Sequence, residues 1–411
     1  MAFAPKLRTT LGRAMDLSTT THTGSTRRHR YRAFLALLIS LFVLGQTGCK
    51  AQGWDQWDKY SQRFVNDEGR VIDRQAQDRT TSEGESYALF FALVANDKPR
   101  FDKLLKWSEA NLANGDLTLR LPAWNWGKAP DGTWKILDDN PAADADLWMA
   151  YSLMEAGRLW RNDRYAKLGS TMALRIAQQE TVDIPGLGVS LLPGPKGFHQ
   201  TANTWILNPS YLPPFLLTYF AKAQPQGPWN QILNSLKILL SRGSGDGYVM
   251  DWVSAGDSVQ PSLSPTQLAT GKTEGLVPVG SYDAIRVYLW LGMTDPGTSG
   301  IRDLLHSTTG MSSYLKTAVT PPLIVDVTGK IVNADGRVGF SAAVIPYLHL
   351  VGYKDQEKAQ DDRLGAVKDD ATGLYGRDAT YYDQNLALFA TGWSDQHFHF
   401  DRDGKLKVKW K

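Results

Sequence analysis

Three short segments place acidic residues at the start of apolar, helix-patterned stretches: Thr80-Thr81-Ser82-Glu83-Gly84-Glu85-Ser86, Ala142-Ala143-Asp144-Ala145-Asp146-Leu147-Trp148 and Ser281-Tyr282-Asp283-Ala284-Ile285-Arg286-Val287. In the first, Ser82 and Glu85 have the spacing of a capping box, in which each side chain satisfies the other's backbone N–H. That reading leaves Glu83 and Gly84 unexplained, because glycine early in a helix costs stability relative to alanine. A glycine there suits a wall approached closely by a ligand or by another helix. In the second segment one of Asp144 and Asp146 reads as a helix cap, and the other is left over. In the third, Asp283 lies one turn before Arg286. The pair is either an exposed i,i+3 ion pair or, in so apolar a stretch, a buried pair with a function. Glu83 taken alone also reads as an ordinary first-turn acid on the surface, favoured by the helix dipole.

If the helices that follow these segments line one cavity, their carboxylates meet. A protonated acid beside a carboxylate able to activate water is the equipment for cleaving a glycosidic bond. The aromatic residues point the same way. The chain has 14 Trp, and Trp124, Trp126 and Trp134 fall in the loop 114–143. Trp205 and Tyr211 stand near the end of 181–211, and Tyr282 adjoins Asp283. Core tryptophans should favour helix faces, whereas these gather in loops beside the acids, where flat rings stack on sugars. Core packing is the other reading for each of them. The sequence has no GxGxxG, no P-loop, no HExxH and no serine nucleophile elbow, and its one cysteine is Cys49. No metal or organic cofactor is indicated.

Apolar residues recur at helical spacing over 83–96, 99–113, 144–160, 162–180, 211–223, 228–241, 281–292, 299–316, 338–351 and 382–392. Asn96-Asp97-Lys98-Pro99 separates the first two of these stretches, and Asn162-Asp163 opens the fourth. The long polar, Gly- and Pro-rich intervals 114–143, 181–210 and 243–280 have the length of functional surfaces or of loops that carry short strands. About ten to twelve helices in one domain suggest an α/α barrel with its long loops gathered on one face. An irregular helical array fits the periodicity as well.

Residues 52–411 read as one domain and 1–51 as a leader. The leader holds eight of the 45 basic residues and only Asp16 of the 42 acidic ones, so the remainder carries 37 basic against 41 acidic residues and is net −4. The body of the protein therefore shows no electrostatic footprint for nucleic acid. Arg27-Arg28-His29-Arg30-Tyr31-Arg32 is a basic start, Ala33 to Leu44 is apolar, and Cys49-Lys50-Ala51 offers a small-x-small cleavage site. An apolar run of 12 residues falls short of the roughly 20 that span a bilayer. A cleaved signal peptide with a periplasmic or secreted product is the expectation. Thr47-Gly48-Cys49 resembles a lipid-attachment site less well, because Gln46 stands where an aliphatic residue belongs. Cleavage after Ala51 would leave no cysteine and no disulfide.

The segment Ala142-Ala143-Asp144-Ala145-Asp146-Leu147-Trp148-Met149-Ala150 resembles the signature of glycoside hydrolase family 8, A-[ST]-D-[AG]-D-x-x-[IM]-A, departing from it only at Ala143. That departure removes a hydroxyl near the sugar site or helix cap. Further matches are Glu68-Gly69-Arg70-Val71-Ile72-Asp73, Leu121-Pro122-Ala123-Trp124, Asn208-Pro209-Ser210-Tyr211-Leu212-Pro213-Pro214 and Ser281 to Val287. They are closest to the members that accompany bacterial cellulose synthesis and export. The resemblance implies an all-α, (α/α)6 barrel and endo-acting cleavage of β-1,4-glucan with inversion. It gives Glu83 the role of general acid and Asp283 that of base, with Asp144 holding and distorting the sugar at the cleavage point. Arg286 would lie beside Asp283, and Trp124, Trp205, Tyr211 and Tyr282 would line glucose subsites. The polysaccharide is then the expected partner, and cellulose-export machinery a further one. Xylan or chitosan as substrate, or a non-catalytic glucan-binding role, are the alternatives.

Two physical expectations follow from these roles. A helix dipole favours a first-turn glutamate as its anion, whereas a proton donor must keep its proton. A second carboxylate, Asp144, is therefore expected close enough to oppose that charge. Inversion also requires room for a water between acid and base, a carboxyl separation of ~6.5–9.5 Å.

Overall fold

The computed structural model describes residues 53–411, so the basic and apolar stretches of the leader, Cys49 and the proposed cleavage site lie outside the described residues. The long helices are α1 (Asp55–Phe64), α2 (Ser82–Val94), α3 (Lys98–Leu112), α4 (Ala143–Trp160), α5 (Asp163–Gln179), α6 (Pro214–Ala223) and α7 (Trp229–Gly243). They continue with α8 (Ala284–Met293), the short α9 (Ile301–Leu305) and α10 (Thr309–Tyr314), then α11 (Val338–Leu350), α12 (Lys354–Ala366) and α13 (Tyr381–Ser394).

Two kinds of helix alternate along the chain, and the difference is written in their residues. In α8 every residue is buried, and in α2 every residue except Glu83. Helices α4, α6, α11 and α13 are likewise apolar on nearly all sides. A helix apolar all round belongs in an interior. Helix α5 instead buries Tyr165, Leu168, Gly169, Met172, Ala173 and Ile176, a single stripe at helical period. Helices α2, α4, α6, α8, α11 and α13 thus form an inner ring, and each packs against an outer neighbour. The architecture is the (α/α)6 barrel.

The barrel centre is filled with aromatic rings. Trp148 packs on Phe389 at 4.9 Å and on Trp290 at 5.4 Å between ring centroids, Tyr87 meets Phe389 at 5.0 Å, and Phe215 stacks on Phe400 at 3.9 Å. This solid floor leaves the N-terminal ends of α2, α4 and α8 to receive polar groups.

The long intervals carry short antiparallel strands. The first holds β2 (Asn125–Lys128) and β3 (Trp134–Asp138), which join β1 (Thr80–Thr81) in one sheet. The second and third hold β4 (Thr181–Ile184), β5 (Gly188–Leu191), β6 (His199–Thr201), β7 (Thr204–Leu207), β8 (Trp252–Gly256), β9 (Gln260–Ser262) and β10 (Val279–Gly280).

Several boundaries differ from the periodicity. The stretch 211–223 begins as a 3-10 turn over Pro209–Tyr211, and α6 starts only at Pro214, because a residue before proline is pushed out of the helical region. The stretch 299–316 breaks into α9, a 3-10 turn at His306–Thr308 and α10. Asp97 and Asn162 do cap their helices, accepting from Arg100 N and from Arg164 N and Tyr165 N. Among the described residues no helix is long and apolar enough to cross a membrane.

Candidate active site

The sheet β1-β2-β3 fixes the first acid. Ser82 N donates to the carbonyl of Trp124 at 3.0 Å, tying the 114–143 loop to the start of α2. The capping box does not form. Thr81 caps α2 instead, its hydroxyl accepting from Gly84 N at 3.2 Å. Glu85 turns inward, fully buried, and accepts from Val71 N at 2.7 Å and Ser108 Oγ at 3.3 Å. Burial pushes its carboxyl up to about 8, so it holds the fold together as a neutral acid. Gly84 meets a helix: a Cβ there would overlap the Tyr381 hydroxyl on α13. With its neighbours committed, Glu83 alone on α2 stays partly exposed.

In α4 neither aspartate caps. Ala142 occupies the cap position without a side-chain bond, and both Asp144 and Asp146 are buried. Asp146 turns to Glu180, the residue after α5, and both carboxyl groups are pushed well above the ordinary range: Asp146 by burial and then by the Glu180 charge, Glu180 by burial against the lowering effect of its bond to Asp146. Asp144 faces the barrel mouth and accepts from Ala145 N at 2.8 Å.

Arg286 gathers the three acids. It is 4% exposed. Its Nη1 donates to Glu83 Oε1 at 2.7 Å and to Asp144 Oδ2 at 3.2 Å, and its Nη2 donates to Asp283 Oδ1 at 2.6 Å and to Ser210 Oγ at 3.0 Å. The Tyr87 hydroxyl lies 3.4 Å from Nη1, and the guanidinium carbon stands 5.6 Å from the centre of the Tyr211 ring. Of the two readings of Asp283 and Arg286, the buried pair is the one observed, with Arg286 almost wholly enclosed. Ser210 is held by the Asn-Pro-Ser-Tyr turn, where Asn208 Oδ1 accepts from its N–H at 3.0 Å and its hydroxyl at 2.7 Å.

The like-charge effect is visible at Asp144. Burial pushes its carboxyl up to about 7; the Arg286 guanidinium opposes that shift and the Glu83 charge adds to it. Arg286 sits on Glu83 as well, so the expected repulsion between the two carboxylates acts across a shared cation. Glu83 and Asp283 are likewise separated by the guanidinium, bonded to different nitrogens. A fourth acid, which the sequence reading missed, holds the turn that carries Asp283. Asp251 accepts from Ser281 N at 2.7 Å, Ser281 Oγ at 2.5 Å and Ala284 N at 2.8 Å. Burial and the charge of Asp283 raise it to about 6, against the lowering effect of those bonds.

The aromatic residues divide. Tyr282 is 40% exposed, meets Phe340 and Tyr382 edge-on, and accepts at its carbonyl from the Tyr382 hydroxyl. Trp124 is half-buried beside the Arg79 guanidinium. Trp126 and Trp134 stack at 5.2 Å, and the Arg70 guanidinium lies 4.6 Å from each ring. Trp205 is buried, with the His199 ring parallel to it at 4.5 Å, so one of its faces is covered. Among the described residues no cluster of His, Cys, Asp and Glu is arranged to hold a metal ion.

The description "Glycosyl hydrolases family 8" belongs to a family model that matches residues 29–396. A protein of Salmonella typhi named Endoglucanase is 41% identical over 381 residues, covering 92% of this chain and 96% of its own length. One of Escherichia coli strain K12 with the same name is 41% identical over 376 residues, covering 91% and 95%. The crystal structure of endo-1,4-D-glucanase from Vibrio fischeri ES114 superposes with a TM-score of 0.75 at 40% identity, covering 87% of this chain and 99% of that one. With three carboxylates meeting on one guanidinium at the mouth of an (α/α)6 barrel, and a match running through all three of them, the chain belongs to the glycosyl hydrolases of family 8.

Proposed function

We propose that the chain cleaves β-1,4-glucosidic bonds within glucan chains, inverting the anomeric carbon. The convergence of Glu83, Asp144 and Asp283 on Arg286 carries this reading. Glu83 donates its proton to the leaving glycosidic oxygen as the bond to C1 breaks. A water on the opposite face of the sugar attacks C1, and Asp283 takes its proton. Each turnover leaves Glu83 ionised and Asp283 protonated, and exchange with solvent restores both. The guanidinium-wide gap between the two carboxylates favours an intervening water over direct attack by Asp283. Asp144 binds hydroxyls of the sugar at the cleavage point and favours its distorted ring. Trp124, Tyr211 and Tyr282 offer faces for neighbouring glucose units, and Trp205 its uncovered face. The printed names of the relatives support glucan as the substrate.

Residues 52–411 are the catalytic unit in this reading, and the basic, then apolar leader supports action in the periplasm or outside the cell. The motif matches support a link to cellulose synthesis and export. The test is incubation of the purified protein, and of its Glu83→Gln variant, with carboxymethylcellulose. A rapid fall in viscosity with new reducing ends, lost in the variant, is the expected result. Cleavage of xylan or chitosan in its place overturns the substrate, and no cleavage of any of the three overturns the enzyme reading.

A further inference from the structure

Asp283 immediately precedes α8 with its backbone already helical (φ −79°, ψ −51°), and its side chain makes no capping bond. A capping aspartate has extended backbone and folds its carboxylate back onto a first-turn N–H, which would bar it from taking a proton from water. The helical backbone of Asp283 leaves its carboxylate free, so the first turn must find its acceptors elsewhere.

The first-turn N–H groups of α8 are nevertheless all satisfied, and each partner can be named. Ala284 N donates to Asp251 Oδ1 at 2.8 Å, Ile285 N to the Ser281 carbonyl at 3.0 Å and Arg286 N to the Asp283 carbonyl at 3.1 Å. Asp251 lies 33 residues before Ala284 in sequence, in the segment leading into β8. It also binds the N–H and hydroxyl of Ser281, at 2.7 and 2.5 Å. Its own N–H donates to the Val279 carbonyl at 2.9 Å, and a Cβ on Gly280 would overlap the Val249 carbonyl oxygen. The turn 279–284 is thus clamped to 249–251 at both ends.

We infer that Asp251 is a positioning residue for the base: by bonding the 281–284 turn from a distant segment it fixes the backbone that carries Asp283 and leaves that carboxylate facing the cleft. This rests on the hydrolytic reading above. The charged and titratable groups around Asp283 are Arg286 on its own helix, Asp251, Asp144 on α4, Tyr211 before α6 and Tyr382 on α13. Of the acids among these, only Asp251 also bonds the backbone of the turn.

The test is Asp251→Ala beside Asp251→Asn, with kinetics on carboxymethylcellulose. Alanine removes all three bonds, whereas the amide oxygen of asparagine still accepts from Ser281 N and Ala284 N. The expected result is a kcat lower by roughly 10- to 100-fold in Asp251→Ala with KM within about twofold, and recovery of most of that loss in Asp251→Asn. Wild-type kcat in Asp251→Ala overturns the inference, and so does an equal loss in both variants. If Asp251→Ala does not fold, Ser281→Ala removes one of the three bonds. It should lower kcat several-fold at constant KM, and unaltered kcat in it overturns the inference. Inactivity of the wild type itself would instead strike the hydrolytic reading. A crystal structure of Asp251→Ala then decides the present point, by showing Asp283 displaced from Arg286 or still bonded to it.

Discussion

Asp146 and Glu180 hold their carboxyl groups against each other inside the protein, and among the described residues no donor reaches any of the four oxygens. A shared proton satisfies the pair, since two buried carboxylates in contact cannot both ionise. Both groups titrate near 4 in the unfolded chain, so at neutral pH the folded protein holds a proton that the unfolded one releases. The sign follows directly. A raised folded-state pKa contributes stability below the unfolded value, and that stability is lost as pH rises. Asp146→Asn supplies an amide donor in place of the proton. Thermal melts from about pH 5 to about pH 9 should show the variant gaining on the wild type with rising pH, by roughly 2–4 °C for each kcal/mol. A difference that does not change with pH would contradict the shared proton.

Asp144 gives a second pH dependence, this time in catalysis. Its carboxyl is pushed up to about 7 by burial, with the Glu83 charge contributing. Loss of that proton near neutral pH is expected to set an alkaline limb of kcat/KM. Asp144→Asn removes the titrating group, so the limb should leave that position, with kcat lower by about 100-fold from lost sugar positioning. A limb in its wild-type position would mean that another group sets it.

Among the described residues Arg286 is the only cation bonded to Glu83, Asp144 and Asp283. Taking one partner out of a buried ionic cluster leaves the others uncompensated and costs about 3–5 kcal/mol. Arg286→Met should therefore be strongly destabilised at neutral pH. Without the guanidinium the cluster binds protons more tightly when folded, so the deficit should shrink as pH falls and grow as pH rises. Urea unfolding at about pH 5 and pH 8 checks this, and an equal deficit at both values would mean the loss is one of packing.

What could be read from the sequence, and what could not, follows from where each residue finds its partner. The inner helices were legible because long apolar runs have few other uses, and the acids at their starts were legible as residues out of place there. Glu85 misled because Ser82-x-x-Glu85 obeys a local rule that tertiary burial overrode. Helix α12, which buries only Gln360 and Leu364, has almost no apolar stripe to detect. Asp251 gave no signal because the turn it holds begins 30 residues later. Trp205 looked like its loop neighbours, and nothing in the sequence foretold that His199 would cover it. Trp57, Trp148, Trp229 and Trp290, by contrast, are fully buried on helices, as core tryptophans should be.

Gly84 ties the fold to the chemistry more tightly than any other small residue here. A Cβ at this position would overlap the Tyr381 hydroxyl and come within 3.1 Å of the ring carbon that bears it. Gly84→Ala must therefore displace Tyr381 or shift the first turn of α2, and Glu83 is the preceding residue of that turn. Overpacking of this kind costs about 1–3 kcal/mol, and a misplaced proton donor costs on the order of 100-fold in kcat. Tyr381→Phe removes the overlapping oxygen and leaves the ring. The double variant should accordingly recover much of both losses, giving an interaction of about 0.5–3 kcal/mol in a double-mutant cycle. Melting temperature and kcat on carboxymethylcellulose, measured for the four proteins, decide it. Strictly additive effects would mean that Gly84 is required for a reason other than its contact with α13.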